Sequence, residues 1–287
     1  MKTIKTSLIL SCLALPVLSF AASNTGVSTN AEATAAPAAS SGSDTRTMQR
    51  AAQNPLTAAV SIPFQNNTNL NIGPSNQTQN IMNFQPVVPF ELNDDWNVIT
   101  RMIMPITTQP GFITGNGNHT GIGNTILTAY FSPNEMIGGV FGWGVSPIIL
   151  APASDTDMGT KEWGGGLSGV GMYVSGKWVV GGILNQIWAG AGDNSPQVNS
   201  TTFQYIVNYN FPSGWYLTTN PINTYNKRAA PGDRWNVPLG GGVGKVFKIK
   251  GQAINASVKV YKNVVKPSGN SSDISIQTQL VFLFPNK

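Results

Sequence analysis

The sequence predicts an all-β chain closed into an antiparallel transmembrane barrel of about twelve strands, with short turns at one end and longer loops at the other. Three observations carry this expectation. The segment 273–284 reads D-I-S-I-Q-T-Q-L-V-F-L-F, with Ile274, Ile276, Thr278, Leu280, Phe282 and Phe284 alternating with Ser275, Gln277 and Gln279. Successive strand side chains point to opposite faces, so one face is greasy and the other begins wet. A long strand of this kind is a sticky edge unless it pairs back onto the first strand and closes a barrel. Second, only 10% of residues are charged, against roughly 25% in an ordinary soluble domain. Glycine (31 residues), aromatics and small polar residues take their place, as suits a lipid-facing outside and a polar inside. Third, the breaks between strands alternate in length.

The chain opens on a secretory signal over 1–21. Lys2 and Lys5 form a basic region, 8–18 an apolar run too short to span a bilayer, and Ser19-Phe20-Ala21 a small-x-small cleavage site. The sole cysteine, Cys12, lies in that run. The remainder therefore offers neither disulfides nor thiolate metal sites. The formal charge of +5 loses Lys2 and Lys5 with the signal, leaving too little for a nucleic-acid footprint. Residues 22–53 are rich in Ala, Ser and Thr with few large apolar groups, and read as a disordered periplasmic linker. The barrel is assigned to 54–287.

Strands follow in order. Leu56, Ala58, Val60, Ile62 and Phe64 alternate with Thr57, Ser61 and Gln65; 78–90 sets Met82, Phe84 and Val88 against Asn83 and Gln85. In 96–106, Val98, Met102 and Met104 oppose Asn97 and Arg101; in 122–131, Leu127, Ala129 and Phe131 oppose Asn124, Thr128 and Tyr130. The Gly-rich runs 137–150 and 164–174 have no clear phase. Then come 178–189, 202–211, 215–222, 235–249, 252–261 and the closing strand. Short breaks at 92–95, 133–135, 175–177, 212–214 and 250–251 alternate with longer loops such as 109–120 and 152–162. Transmembrane barrels alternate in this way, with turns periplasmic and loops outside. Trp96, Trp178 and Trp215 follow short turns, and Trp163, Trp188 and Trp235 border loops, as two interfacial girdles require. Prolines at 63, 86, 89, 105, 147, 221 and 238 fall in or beside strands. Each removes a ladder hydrogen bond, so several strands must be bulged or shorter than this alternation suggests.

Certain motifs resemble the family of outer-membrane barrels named for the MetA pathway of phenol degradation, whose members are often labelled "transporter" or "neuromedin U". They are N-P-L at 54–56, S-I-P-F-Q-N-N at 61–67, G-I-G-N at 121–124, F-S-P at 131–133, G-W-G-V-S-P at 142–147, G-W-Y-L-T-T-N-P at 214–221 and W-N-V-P-L-G-G-G-V-G-K at 235–245. The chain departs from the family's pattern at Asn124, where the family has Asp, and at Ser146, where it often has Gly. The resemblance implies a channel for small, often apolar or aromatic compounds.

Alternation nominates Asn83, Gln85, Arg101, Asn255, Lys259, Tyr261, Gln277 and Gln279 as lumen-lining residues. A charge facing lipid at mid-depth costs about 2–4 kcal/mol, so Arg101 and Lys259 should point inward. They either favour anions or hold a neutral structural network together. The expected partners are outer-membrane lipid, a small solute and, through the closing strand, the barrel assembly machinery. No cofactor, metal or catalytic residue is assigned. His119 would serve a barrel-wall hydrolase only beside a serine, and its Gly/Asn-rich loop is a poor scaffold for a triad. Asp155, Asp157, Lys161 and Glu162 form a charged loop cluster for which a calcium site is the rival to plain solvation. Gly240 to Lys245 lacks phosphate-loop spacing. A structural or adhesive surface barrel is the alternative function.

Overall fold

The computed structural model describes residues 39–57, 59–73, 75–115, 117–190, 198–269 and 271–284. The signal segment with Cys12, and the linker up to residue 38, lie outside these residues. The elements are helix α1 (Ala39–Gln53), strands β1 (Val60–Ile72), β2 (Gln77–Phe84), β3 (Val87–Glu91) and β4 (Trp96–Gln109), the single helical turn α2 (Gly111–Thr114), β5 (His119–Ile122), β6 (Thr125–Pro133), β7 (Phe141–Ala151), β8 (Gly164–Ser175), β9 (Trp178–Ala189), β10 (Val198–Asn210), β11 (Trp215–Thr219), β12 (Ile222–Asn226), β13 (Trp235–Ile249), β14 (Gln252–Val265) and β15 (Ile274–Phe284).

Every pairing is antiparallel. The barrel closes where β1 meets β15, from Val60↔Phe284 to Leu70↔Ile274. Three staves are broken in two, β2/β3 at residues 85–86, β5/β6 at 123–124 and β11/β12 at 220–221. Counting each broken stave once gives a closed twelve-stave barrel. Pro86 and Pro221 account for two breaks, since neither can donate to the ladder. Pro238 coincides with a register shift between β13 and β14.

Alternation orients the walls. Leu167 (64% exposed), Leu184 (53%) and Leu217 (51%) project outward, while Met172 (0%), Asn208 (3%) and Val281 (3%) point in. A belt of exposed aliphatic and aromatic side chains around the whole circumference belongs against lipid. The uncertain Gly-rich phase resolves with Ser146, Ile148, Ser168 and Val170 facing inward. Trp178 stacks edge-on against Tyr209 at 4.9 Å near the turn end, and Tyr225 packs on Trp235 at 4.9 Å near the loops.

Several boundaries differ from the sequence reading. Strand β1 continues to Ile72, so the polar run from Asn66 is wall rather than loop, and the first outer connection is short. Asn66, Thr68 and Asn80 form an amide and hydroxyl ladder there that replaces the expected loop. The turn after β6 spans 134–140, longer than its Pro-Asn-Glu start suggests. Gly240 to Lys245 is strand, and a Cβ at Gly242 would sit 1.9 Å from the Val258 carbonyl oxygen, so close strand packing requires glycine there.

The larger correction concerns the linker. Residues 39–53 are helical, not disordered. The sequence is a poor helix former, with one Gly and several Ser and Thr, so tertiary contact must hold it. Met48 and Ala52 pack against inward-facing Ala253, Val281 and Leu283. The buried Gln49 donates through Nε2 to the carbonyls of Phe211 and Trp215, each at 3.2 Å. Gln53 exchanges hydrogen bonds with Asn210, and Lys248 pairs with Asp44 at 2.6 Å. The first strand begins at Val60 and not at Leu56; the chain before it enters the barrel, where Leu56 joins a cluster that includes Val87, Ile99, Met172, Val179 and Ile206. Gly144 makes room for it, since a Cβ there would lie 3.1 Å from the Leu56 side chain. The turn end of the lumen is thus filled by wall side chains and by the segment preceding β1.

Candidate functional site: the lumen

Beyond this plug the lumen opens into a cavity of about 400 Å³ that reaches toward the loop end. One arc of its wall is isoleucine: Ile103, Ile126, Ile148, Ile183 and Ile187. The other is mostly amide and hydroxyl, including Asn67, Asn69, Thr202, Gln204 and Gln277, while Asn185 stands between Ile183 and Ile187 on β9. Of the sequence-nominated residues, Asn83, Gln85, Arg101, Tyr261 and Gln277 line this cavity. Gln279 lines a smaller one of about 120 Å³ lying against residues 51–55 and 57. Asn255 and Lys259 are buried at 3% and 2% exposure and line neither.

Arg101 stands at a junction. It lines the main cavity, the smaller cavity above the plug, and a groove of about 390 Å³ whose other walls are mostly apolar, among them Pro86, Met102, Leu127, Pro147 and Ile149. Leu127 and Ile149 belong to the lipid-facing belt. The groove lies where the wall is locally unzipped, because Pro86 breaks one stave and the β6–β7 register skips from Thr128↔Ile148 to Phe131↔Val145 across Pro147. Ser146 Oγ accepts the displaced Ala129 N–H at 2.8 Å, so the serine repairs part of the missing ladder. The Arg101 guanidinium donates from Nη2 to Gln85 Oε1 at 2.6 Å. Gln85 can aim its side chain this way because it sits at the stave break, with its own N–H bonded to the Pro63 carbonyl at 3.0 Å.

Lys259 is held differently. Its Nζ donates to Asn220 Oδ1 at 2.8 Å, and the same oxygen accepts the Tyr261 hydroxyl at 2.9 Å. Gln204 Nε2 donates to the Asn220 carbonyl at 2.9 Å. Asn220 therefore knots three walls, with Tyr261 and Asn220 facing the cavity and the ammonium behind them. Nearby, Tyr216 donates to Asn255 Oδ1 at 2.7 Å. Among the described residues no Asp or Glu lines any of the three cavities.

Asn220, Gln204 and the Asn67/Asn69 pair were not nominated from sequence. The signal for Asn220 was present: a polar residue directly before a proline within an alternating run, as at Gln85-Pro86, marks a stave break. Asn124 lies at the third break and clips an outer loop. Its Nδ2 donates to the carbonyls of Ala151 (2.9 Å) and Thr160 (2.8 Å), and its Oδ1 accepts the Thr160 N–H at 2.9 Å. An amide can donate and accept at once; a carboxylate cannot donate. Asn124 thus ties this loop to the wall through three hydrogen bonds, two donated and one accepted.

His119 lies in strand β5, not in a flexible loop. Its Nε2 is 3.7 Å from Asp155 Oδ2 and its Nδ1 3.6 Å from Asp157 Oδ2. These three could offer ligand atoms to one metal ion, in place of the Asp/Lys/Glu set read from the loop sequence. Ser154 donates to the same Asp155 oxygen at 3.2 Å. The carboxylate thus stands between hydroxyl and imidazole, whereas a triad needs the imidazole between hydroxyl and acid.

Comparison with solved structures gives the fold. The chain is similar to the COG4313 outer membrane channel from Pseudomonas putida F1, with a TM-score of 0.63 and 17% identity over 79% of this chain and 95% of that one. The translocator domain of autotransporter NalP from Neisseria meningitidis (TM-score 0.47, 9% identity, covering 86% and 96%) and the TodX monoaromatic hydrocarbon channel (0.41, 9%, covering 80% and 90%) are more distant barrels. No family model matches the sequence, and no curated protein does.

Proposed function

We propose that this chain is a passive outer-membrane channel for small molecules, with its turns in the periplasm and its loops outside. The observation that carries the reading is the two-faced lumen, an isoleucine arc opposite an amide arc around a cavity of about 400 Å³. A purely structural barrel would gain more by filling that volume, since packed interiors leave few voids larger than a water. The similar barrel from Pseudomonas putida is described as a channel, which agrees. The signal-like start supplies the route through the inner membrane, and the closing strand with Phe282 and Phe284 the contact to the assembly machinery. Lumen function rests on Arg101, Gln85, Asn220, Tyr261 and Gln277; the barrel acts without catalysis.

The filled turn end favours a second reading, a non-transporting surface barrel whose loops bind partners. Single-channel recording of the purified protein in planar bilayers, together with uptake of uncharged solutes into proteoliposomes, separates the two. Discrete current steps and solute entry are expected for the channel. A silent protein that remains impermeable after removal of residues 39–53 would instead leave the surface-barrel reading.

A further inference from the structure

We propose that the lumen contains a binding site for small anionic amphiphiles, a carboxylate on a single ring or short apolar chain, with Arg101 as the headgroup ligand. This deepens the channel reading and rests on it. A guanidinium offers five N–H donors in a planar fork suited to a carboxylate. The hydrogen bond it makes among the described residues is to the neutral Gln85 oxygen. Neither the main cavity nor the two that meet it at Arg101 is lined by an acidic residue, so no described carboxylate competes for the fork. The second inward cation, Lys259, is likewise matched to an amide, not an acid.

A cation partly withdrawn from water without a counter-charge is costly, and an entering anion relieves that cost. The rest of the wall decides what carries the anion. Ile103 lies two residues beyond Arg101 on the same face of β4, and Ile126 and Ile148 continue the apolar arc on the neighbouring staves. An inorganic anion leaves this arc uncovered, and a neutral hydrocarbon leaves the guanidinium unmatched. A volume of about 400 Å³, near the lower end of small-molecule sites, suits one ring or one short chain.

The test uses the full chain in phosphatidylcholine nanodiscs, with empty nanodiscs as the partition control. Calorimetry compares 4-phenylbutyrate with 4-phenylbutanol, which share an apolar body. The acid should bind at least about tenfold more tightly than the alcohol, the difference one charge-assisted bidentate pair supplies. Arg101→Gln should remove that preference while alcohol affinity stays within about twofold, and Arg101→Lys should keep part of it. Equal affinity of acid and alcohol for the unmodified protein overturns the proposal, whether or not either variant folds. So does a preference for the acid that survives in folded Arg101→Gln. Proteoliposome uptake of both compounds keeps the two readings apart. Acid-selective binding without uptake of either compound supports the site and sinks the channel. Equal uptake of both, unchanged in Arg101→Gln, sinks the site and leaves the channel standing.

Discussion

The two halves of the lumen are built on the same staves with the same alternation, yet one is packed and the other is hollow. At the turn end the inward positions carry Val87, Ile99, Met172, Val179 and Ile206, and Leu56 enters to complete a dry cluster. Toward the loop end the inward positions carry amides and isoleucines around open space. Alternation therefore says which side chains point inward and nothing about whether they meet. Meeting depends on side-chain size and on whether another segment enters. Here α1 and Leu56 enter from one end.

The largest effect expected from breaking this contrast comes from removing the plug. Deletion of residues 39–53 should raise single-channel conductance severalfold, because Gln49 and Gln53 would no longer hold a helix across the turns. Unchanged conductance in planar bilayers would mean that the wall cluster alone closes the turn end.

Next in size is the loop end. Asn124→Asp removes the two hydrogen bonds donated by Nδ2 and sets a carboxylate near two carbonyls, at a cost of about 1–3 kcal/mol. Limited proteolysis should then cut within 152–160 at lower protease concentration, with cleavage at the turns unchanged. Equal protection of this loop in the variant would show that the clip adds nothing to loop order.

A smaller contrast lies between the two faces of one strand. Phe284 is exposed on the outer belt, whereas Gln279 lines the cavity above the plug. Phe284→Asp should lower the yield of heat-modifiable, folded barrel more than Gln279→Asp, because a charge is costly against lipid and tolerated in a lumen. Equal yields would reverse the assigned phase of β15.

The smallest effect is a pH dependence in the outer loops. The exposed Asp233 accepts the Ser268 N–H at 2.7 Å and its hydroxyl at 2.8 Å. The Ser268 backbone and then its hydroxyl hold this carboxyl below the usual carboxylate range. A depressed pKa means that the contribution is present above the unfolded value and is lost as pH falls through the folded one. Proteolysis of 266–273 by an acid protease should therefore increase below about pH 4 in the native chain. In Asp233→Asn the same loop should be open at neutral pH and change little on acidification. Similar pH profiles for the two would remove Asp233 from the loop's hold.

The barrel was legible because its rule is local. A period of two over Phe203, Tyr205, Val207 and Tyr209, or over Ile274 to Phe284, fixes the outer face whatever the partner strand, since lipid accepts any apolar side chain. The inward positions of Arg101 and Lys259 followed from the same rule. What those residues touch was not legible. Gln85 reaches Arg101, and Asn220 reaches Lys259 and Tyr261, across distances in sequence that only closure of the sheet brings together. Helix α1 was unreadable for a related reason, because its own propensity is poor and its stability comes from turns and walls far away in the chain, with Arg50 and Gly176 separated by 126 residues and Gln49 and Trp215 by 166. Local alternation sets the outside of a barrel; the contents of its lumen are decided by tertiary structure, because each inward side chain faces residues that are far from it in the chain.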